Sequence, residues 1–167
     1  VVVCVRRGQD AAQPSPTPRT SAKVRKDAAQ TLLDGMSTRE KICQLLIVHP
    51  EALTDGGAVT AMTDDLAAAL RDYPVGGFLL SAGNMTSGDQ LRALTSALSS
   101  ACAAAPLVTV DEEGGRVARL MNTVGTTKLN SMYSYRSLGT QGAYDNAQTL
   151  AHDIAAYGFN TDFAPVA

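Results

Sequence analysis

The chain has no tryptophan, only two histidines (His49 and His152) and only three cysteines (Cys4, Cys43 and Cys102) in 167 residues. The cysteine count is odd and no pair has C-x-x-C spacing, so spacing supports neither a zinc site nor a disulfide framework. No motif implies a metal or a cofactor. No sign of charge dominates: 14 Lys and Arg against 16 Asp and Glu leave a net charge of −2. A protein that grips nucleic acid through phosphates needs a basic stripe, so that class is set aside. Long apolar runs are missing too. Val1–Val5 and Leu45–Val48 are the longest candidates, far short of the ~18 residues that cross a bilayer.

What is present suits one globular domain. Hydrophobic residues make up 45% of the chain, enough for a buried core at this length. Cys43 and Cys102 lie among apolar neighbours and are expected to be buried thiols. Residues 1–30 differ from the rest. Pro14, Pro16 and Pro18 alternate with Ser15 and Thr17, and Thr20 and Ser21 follow; such a stretch favours extended, solvated backbone. It is expected to be a linker, with Val1–Val5 the remnant of an export or anchor segment and an extracytoplasmic or cell-surface location; a cytoplasmic one is the alternative. Cys4 is a candidate lipidation site, although Val3 precedes it where a small residue is usual. The chain starts without Met and stops after an apolar segment, so a fragment of a longer protein is expected.

From Thr31 onward the pattern alternates. Ser37-Thr-Arg-Glu40 has capping-box form, with Ile42, Leu45 and Leu46 following at helical spacing. Leu45–Val48 reads as a short buried strand. Val59, Met62, Leu66 and Ala69 mark one face of a helix that Pro74 closes. Val75–Leu80 is an apolar strand. Ser87-Gly-Asp-Gln90 is a second capping box, opening a helix with Leu91, Leu94 and Leu98 on one face and ending before Pro106. Leu107–Val110 is a strand, a long loop follows, and Tyr144, Ala147, Ala151 and Ile154 mark a last helix with Gly158 just past its end. Asn160–Val166 is a final strand. Apolar strands alternating with amphipathic helices mean a parallel α/β sheet covered on both faces. Periodicity does not separate half of an eight-stranded barrel from a small doubly wound sheet.

The segment richest in chemistry is Val110-Asp-Glu-Glu-Gly-Gly-Arg-Val-Ala-Arg119. Three carboxylates follow a strand end, which is where parallel α/β folds place their ligands. Gly114 and Gly115 permit a sharp turn that would return Arg116 or Arg119 over the strand. A carboxylate accepts paired hydroxyls and a guanidinium donates a planar fork, so together they suit a polyhydroxylated ligand such as a sugar. The plainer alternative is an i,i+3 pair, Glu113–Arg116, at a helix start. Phosphate is disfavoured, because three adjacent carboxylates repel it and the glycine spacing is not G-x-G-x-x-G.

This segment resembles the V-D-x-E-G-G-R-V-x-R signature of glycoside hydrolase family 3, and three others agree in order. Met36-Ser-Thr-Arg-Glu-Lys-Ile-Cys-Gln-Leu45 is similar to M-[ST]-x-x-E-K-I-x-Q-[LM]. Val75-Gly-Gly-Phe-Leu-Leu80, with Asn84 and Gln90-Leu91, resembles G-G-[IF]-[IL]-L…N…Q-L. Gly158-Phe-Asn-Thr-Asp-Phe-Ala-Pro-Val166 resembles G-[IF]-N-x-D-[FW]-[AS]-P-V. The likeness covers residues 31–167 and is nearest to the β-N-acetylhexosaminidase branch.

The resemblance implies the N-terminal half of a (β/α)8 TIM barrel, with four parallel strands and intervening helices, in an enzyme that hydrolyses terminal β-linked N-acetylglucosamine with retention, as in cell-wall turnover. It implies that Asp111 and Arg119 hold sugar hydroxyls, that Glu113, Gly114, Gly115 and Arg116 shape the loop, and that Asn160 and Asp162 are structural hydrogen-bonders near the site. Two departures stand out. Glu112 occupies a position where Gln is common, and Leu129-Asn-Ser-Met132 replaces a Pro-containing turn, so residues 122–140 are expected to form an irregular substrate-side loop. Retaining chemistry needs a nucleophile and an acid/base; the family's segments for both, a late-strand Asp and K-H-F-P-G-H-G, do not occur here, so the chain alone is expected to be inactive. His152 reads as an ordinary helix-face residue. A β-glucosidase or β-xylosidase of the same family, or a non-catalytic sugar-binding module, fits the same motifs. The open first and fourth strands of a half barrel invite self-association.

Overall fold

The computed structural model of the chain describes residues 3–4 and 28–165. Most of the expected linker, and the lipidation reading of Cys4, lie outside the described residues, but residues 28–35 are helical (α1), so the last three residues of the expected linker are not extended.

Helix α2 (Thr38–Cys43) starts at the expected capping box: Ser37 Oγ accepts the Glu40 N–H at 3.3 Å and the Glu40 carboxylate accepts the Ser37 N–H at 2.7 Å. Strand β2 (Ile47–Val48), a 3-10 turn (Pro50–Leu53) and α3 (Asp64–Asp72) follow. Next come β3 (Gly77–Leu79), a 3-10 turn (Ala82–Asn84), α4 (Gly88–Ala101) and β4 (Leu107–Val110). The hairpin β5 (Glu112–Gly114) and β6 (Val117–Ala118) leads through α5 (Arg119–Thr123) and a 3-10 segment (Met132–Ser137) to α6 (Gly139–Ala155) and β7 (Thr161–Asp162). Of the long loop expected to be irregular, residues 125–131 are so, whereas Met132–Ser137 form the 3-10 segment.

The strands β2, β3, β4 and β7 pair in parallel, and their order in space is their order in the chain. A doubly wound sheet reverses direction at a switch point; this one does not, which is the succession of a β/α barrel. The outer edge of β7 is not open as expected. Val3–Cys4 (β1) pairs with it antiparallel. The edge at β2 has no strand partner among the described residues.

The core lies between the sheet and its helices. Phe78, Leu80, Val108 and Val110 from the strands meet Leu66 and Leu70 of α3, Leu91, Leu94 and Leu98 of α4, and Leu150 and Ile154 of α6. Each such side chain, fully buried, contributes about 1.5–3 kcal/mol. Gly158 has φ +85° and lets the chain leave α6, and a Cβ there would come within 2.5 Å of Thr95 Oγ1.

Several expectations need correction. Val59 and Met62 precede α3, whose N-cap is Thr63, so they reach the core from a loop. Leu45 is 83% exposed, and Leu46 and Ile47 are exposed with it, because the β2 edge has no neighbour among the described residues. Gln90 does not complete a capping box. Ser87 Oγ does accept the Gln90 N–H at 3.2 Å, but Gln90 Oε1 accepts from Thr86 N–H at 2.8 Å, and Nε2 donates to Thr60 and Asn84 carbonyls. Tyr144 and Ala147 are exposed on α6 rather than packed. Cys43 is buried, whereas Cys102 is half-buried. The final strand is confined to Thr161–Asp162, and Val166 lies outside the described residues.

Candidate functional site

Side chains alternate along a strand, so Val110 points to the helix-covered core while Thr109 and Asp111 share the opposite face. Asp111 is the first residue beyond β4. The chain then reverses in the β5–β6 hairpin. Gly114 and Gly115 have φ +76° and +60°, and both are also sterically required: a Cβ on Gly114 would lie 2.5 Å from the Asn130 carbonyl oxygen, and one on Gly115 2.8 Å from Ser131 Cβ. The Gly115 N–H donates to the Leu129 carbonyl at 3.0 Å, so residues 129–131 clamp the turn in the place where the expected proline is missing.

The return strand brings Arg119 back over the strand end. Its Nη2 lies 3.5 Å from Asp111 Oδ2, with the two side chains 36% and 33% exposed. This is a loose contact that leaves donors and acceptors free for a ligand, and Arg119 Nε is shielded with no hydrogen-bond partner among the described residues. Arg116 is exposed and forms no ion pair with a described residue, so the Glu113–Arg116 alternative is not realised.

Behind the pair lies a second layer of carboxylates. Glu112 is buried, and its two carboxylate oxygens accept the N–H groups of Leu120 at 2.8 Å and Met121 at 3.1 Å. Its own N–H donates to Asp162 Oδ1 at 2.9 Å. Asp162 pairs with Val110 across the ladder and so lies on the core face, also buried. Burial raises the Glu112 carboxyl, partly offset by the backbone N–H groups it accepts and by the Arg119 charge. Burial pushes Asp162 up to about 7, with the nearby Glu112, Asp111 and Glu113 charges adding to the rise against the pull of the Glu112 N–H.

Asn160 is elsewhere. Its Oδ1 accepts the Val108 N–H at 2.9 Å and its Nδ2 donates to the Pro106 carbonyl at 2.9 Å. It ties down the start of β4, the end opposite Asp111, so the expectation that it neighbours the site is corrected: it fixes strand register instead. Asp162, two residues further on, is the one beneath the turn. His152 is exposed on α6, and His49 stands at the N-cap position of the 3-10 turn after β2 without a side-chain capping bond.

The adjoining rim, after β2 and β3, is stapled by Asn84. This side chain is fully buried; Oδ1 accepts the Ser81 N–H at 2.8 Å, and Nδ2 donates to the Val59 carbonyl at 2.8 Å and to the Glu51 carboxylate. Glu51 also accepts the Val59 N–H at 2.8 Å. Burial pushes the Glu51 carboxyl up, but these donors and His49 bring it below its ordinary value. Sequence reasoning singled out Asn84 as part of a motif but passed over Glu51, which carries no spacing signal. A cavity of about 620 Å³ beside the turn is lined by Glu113, Asp162, Tyr133, Tyr135, Leu150 and Ile154, among others. A larger one of about 1010 Å³ lies between the 52–61 loop and α3. Neither is lined by Asp111 or Arg119, which sit on the open strand-end surface.

Comparison with known proteins matches residues 37–167 to the glycosyl hydrolase family 3 N terminal domain. A beta-hexosaminidase of Bordetella pertussis is 34% identical over 138 residues, covering 78% of this chain and 38% of the relative. Beta-hexosaminidase LpqI of Mycobacterium tuberculosis is 33% identical over 135 residues, covering 78% and 31%. Among solved structures, NagZ from Neisseria gonorrhoeae superposes with a TM-score of 0.58 at 26% identity, over 72% of this chain and 36% of that one. A family 3 beta-N-acetylglucosaminidase from Paenibacillus gives 0.66 at 25% identity, over 78% and 24%. The chain thus spans between about a quarter and two fifths of the length of these relatives.

Proposed function

The chain belongs to glycosyl hydrolase family 3, and from that premise we propose that its acidic turn holds the terminal sugar of a β-linked N-acetylglucosaminide. Asp111 accepts two sugar hydroxyls and Arg119 donates to them, while Glu113, Gly114, Gly115 and Arg116 shape the turn. The observation that carries this reading is the 3.5 Å approach of Arg119 Nη2 to Asp111 Oδ2 at a strand end, with both groups one-third exposed. A charge-assisted hydrogen bond contributes about 1.5–3 kcal/mol. Asp111→Ala is therefore expected to weaken binding of N-acetylglucosamine by the 167-residue chain about tenfold or more, measured by titration calorimetry. Wild-type affinity for glucose equal to that for N-acetylglucosamine would favour the β-glucosidase reading, and no affinity for either would overturn the sugar site.

The whole protein, on this reading, hydrolyses terminal β-linked N-acetylglucosamine from cell-wall fragments and acts outside the cytoplasm. The relatives named as beta-hexosaminidases support the substrate class. Retention requires a nucleophile and an acid/base, and the chain's motifs supply neither role; the 167 residues alone are expected to release no aryl group from an aryl β-N-acetylglucosaminide. Turnover above buffer would refute that. We further propose self-association through the β2 edge, supported by the exposed Leu45, Leu46 and Ile47 beside it. Light scattering that reports a monomer at high concentration would refute it.

A further inference from the structure

We propose that Glu112 is the positioning residue of the site: one side chain, anchored from β7 by Asp162, sets the distance between Asp111 and Arg119. The inference rests on the sugar-holding reading of that pair and assigns what holds it in shape.

Asp111 immediately precedes Glu112, and Arg119 immediately precedes Leu120. The two sugar-facing residues are separated by a hairpin whose turn is two glycines, which by themselves hold no fixed geometry. Three hydrogen bonds converge on Glu112 instead. Its N–H is fixed to Asp162 Oδ1 at 2.9 Å, which sets the direction in which Asp111 leaves β4. Its carboxylate takes the N–H of Leu120 at 2.8 Å and of Met121 at 3.1 Å, which sets where Arg119 begins α5. Helix α5 has no side-chain cap of its own at Ala118, so the first-turn donors are satisfied from across the hairpin. Arg119 and Asp111 are thereby referred to one residue, 3% exposed, that faces away from solvent.

The residue type is informative. Both Glu112 oxygens accept, one N–H each. A glutamine in this place has a single acceptor oxygen, and its amide nitrogen can only donate. The carboxylate thus offers each of the two backbone donors its own oxygen, where a glutamine would have to serve both through one. Charge accumulation is relieved one layer below, where the buried Asp162 takes up a proton near neutral pH.

The test compares wild type, Glu112→Gln and Glu112→Ala in the 167-residue chain. Two quantities are read: amide hydrogen exchange at Leu120 and Met121 by NMR, and the dissociation constant for N-acetylglucosamine. In Glu112→Gln one of the two amides is expected to exchange about tenfold faster, and in Glu112→Ala both, with the Val108 and Val110 amides unchanged. Sugar affinity is expected to fall in the same order, glutamine rescuing part of the alanine loss, and Arg119→Ala is expected to cost less in the Glu112→Ala background than in wild type. Unchanged exchange at both amides in either variant would overturn the clamp. Faster exchange with unaltered sugar affinity would overturn its positioning role. A wild type that binds no sugar would sink the functional reading alone, because the exchange measurement still decides whether Glu112 holds α5 to the strand. Should the alanine variant not fold, the glutamine variant carries the test by itself.

Discussion

Two carboxylate networks, one centred on the half-buried Glu51 and one on the buried Glu112 and Asp162, support neighbouring stretches of the same rim, and they respond to protons in opposite ways. After β2 and β3, Glu51 accepts from the Val59 N–H and Asn84 Nδ2 and lies near His49, and against the cost of burial its carboxyl is held below the ordinary range. After β4, Asp162 meets a single backbone N–H and the charges of Glu112, Asp111 and Glu113, and its carboxyl is pushed up to about 7. The same residue class is a staple in one place and a stored electrostatic cost in the other. The difference lies in what faces it: carboxylates crowd around Asp162, whereas Glu51 is approached by N–H donors.

The largest expected effect separates the two networks by pH. A buried acid whose folded pKa lies above its unfolded value binds more protons folded than unfolded between the two. Its contribution is therefore present at low pH and lost as pH rises from about 4 through about 7. At ~1.4 kcal/mol per tenfold change in proton affinity, the shift from 3.8 to about 7 bounds the effect at about 4 kcal/mol. Asp162→Asn keeps an oxygen for the Glu112 N–H and removes the charge. It is expected to be flatter than wild type across that window and more stable at pH 8, measured by urea unfolding at a series of pH values. A wild type whose stability rises from pH 5 to pH 8 would break the contrast. Glu51 has the opposite sign: its contribution is present above its unfolded pKa and lost as pH falls through its lowered folded value.

Next in size is Asn84→Ala. It strands the Ser81 N–H, the Val59 carbonyl and one Glu51 contact in a site with no exposure. Unsatisfied buried groups cost ~1–3 kcal/mol each before relaxation, so a net loss of about 3 kcal/mol is expected, read from the same unfolding curves at one pH. A loss under about 0.5 kcal/mol, the size of a surface substitution, would show that this corner is not a staple.

Gly115→Ala is the smallest and sharpens the account of the turn. It meets both a φ of +60° and a Cβ 2.8 Å from Ser131 Cβ, at about 1–2 kcal/mol of strain. A stability equal to wild type would mean that residues 129–131 yield to it.

Much of this fold is written in local pattern. Leu91, Leu94 and Leu98 mark α4 by spacing alone, Ser37 and Glu40 announce α2 by mutual capping, and Leu107–Val110 is found with both ends correct. Elements whose faces depend on distant neighbours were less legible. Val59 and Met62 mimic a helix stripe yet reach the core from a loop, and Gln90 gave up its cap for carbonyls 30 and 6 residues away. In the candidate site, Asp111, Arg119 and the glycine turn were visible because strand end, carboxylate and Gly-Gly are contiguous. Asn160 and Asp162, two residues apart, looked alike in the sequence, and only strand pairing sends one to the start of β4 and the other beneath its end.

By itself, then, the chain's order of residues determined the alternation of strand and helix, the parallel sheet and the place of the acidic turn, since hydrophobic period, caps and glycines act over a few bonds. Tertiary structure alone decided that the strands follow one another without reversal, that Arg119 returns to Asp111, and that Glu112 and Asp162 share one buried layer. Those are properties of packing between segments some 50 residues apart, and a burial cost exists only once such segments have met.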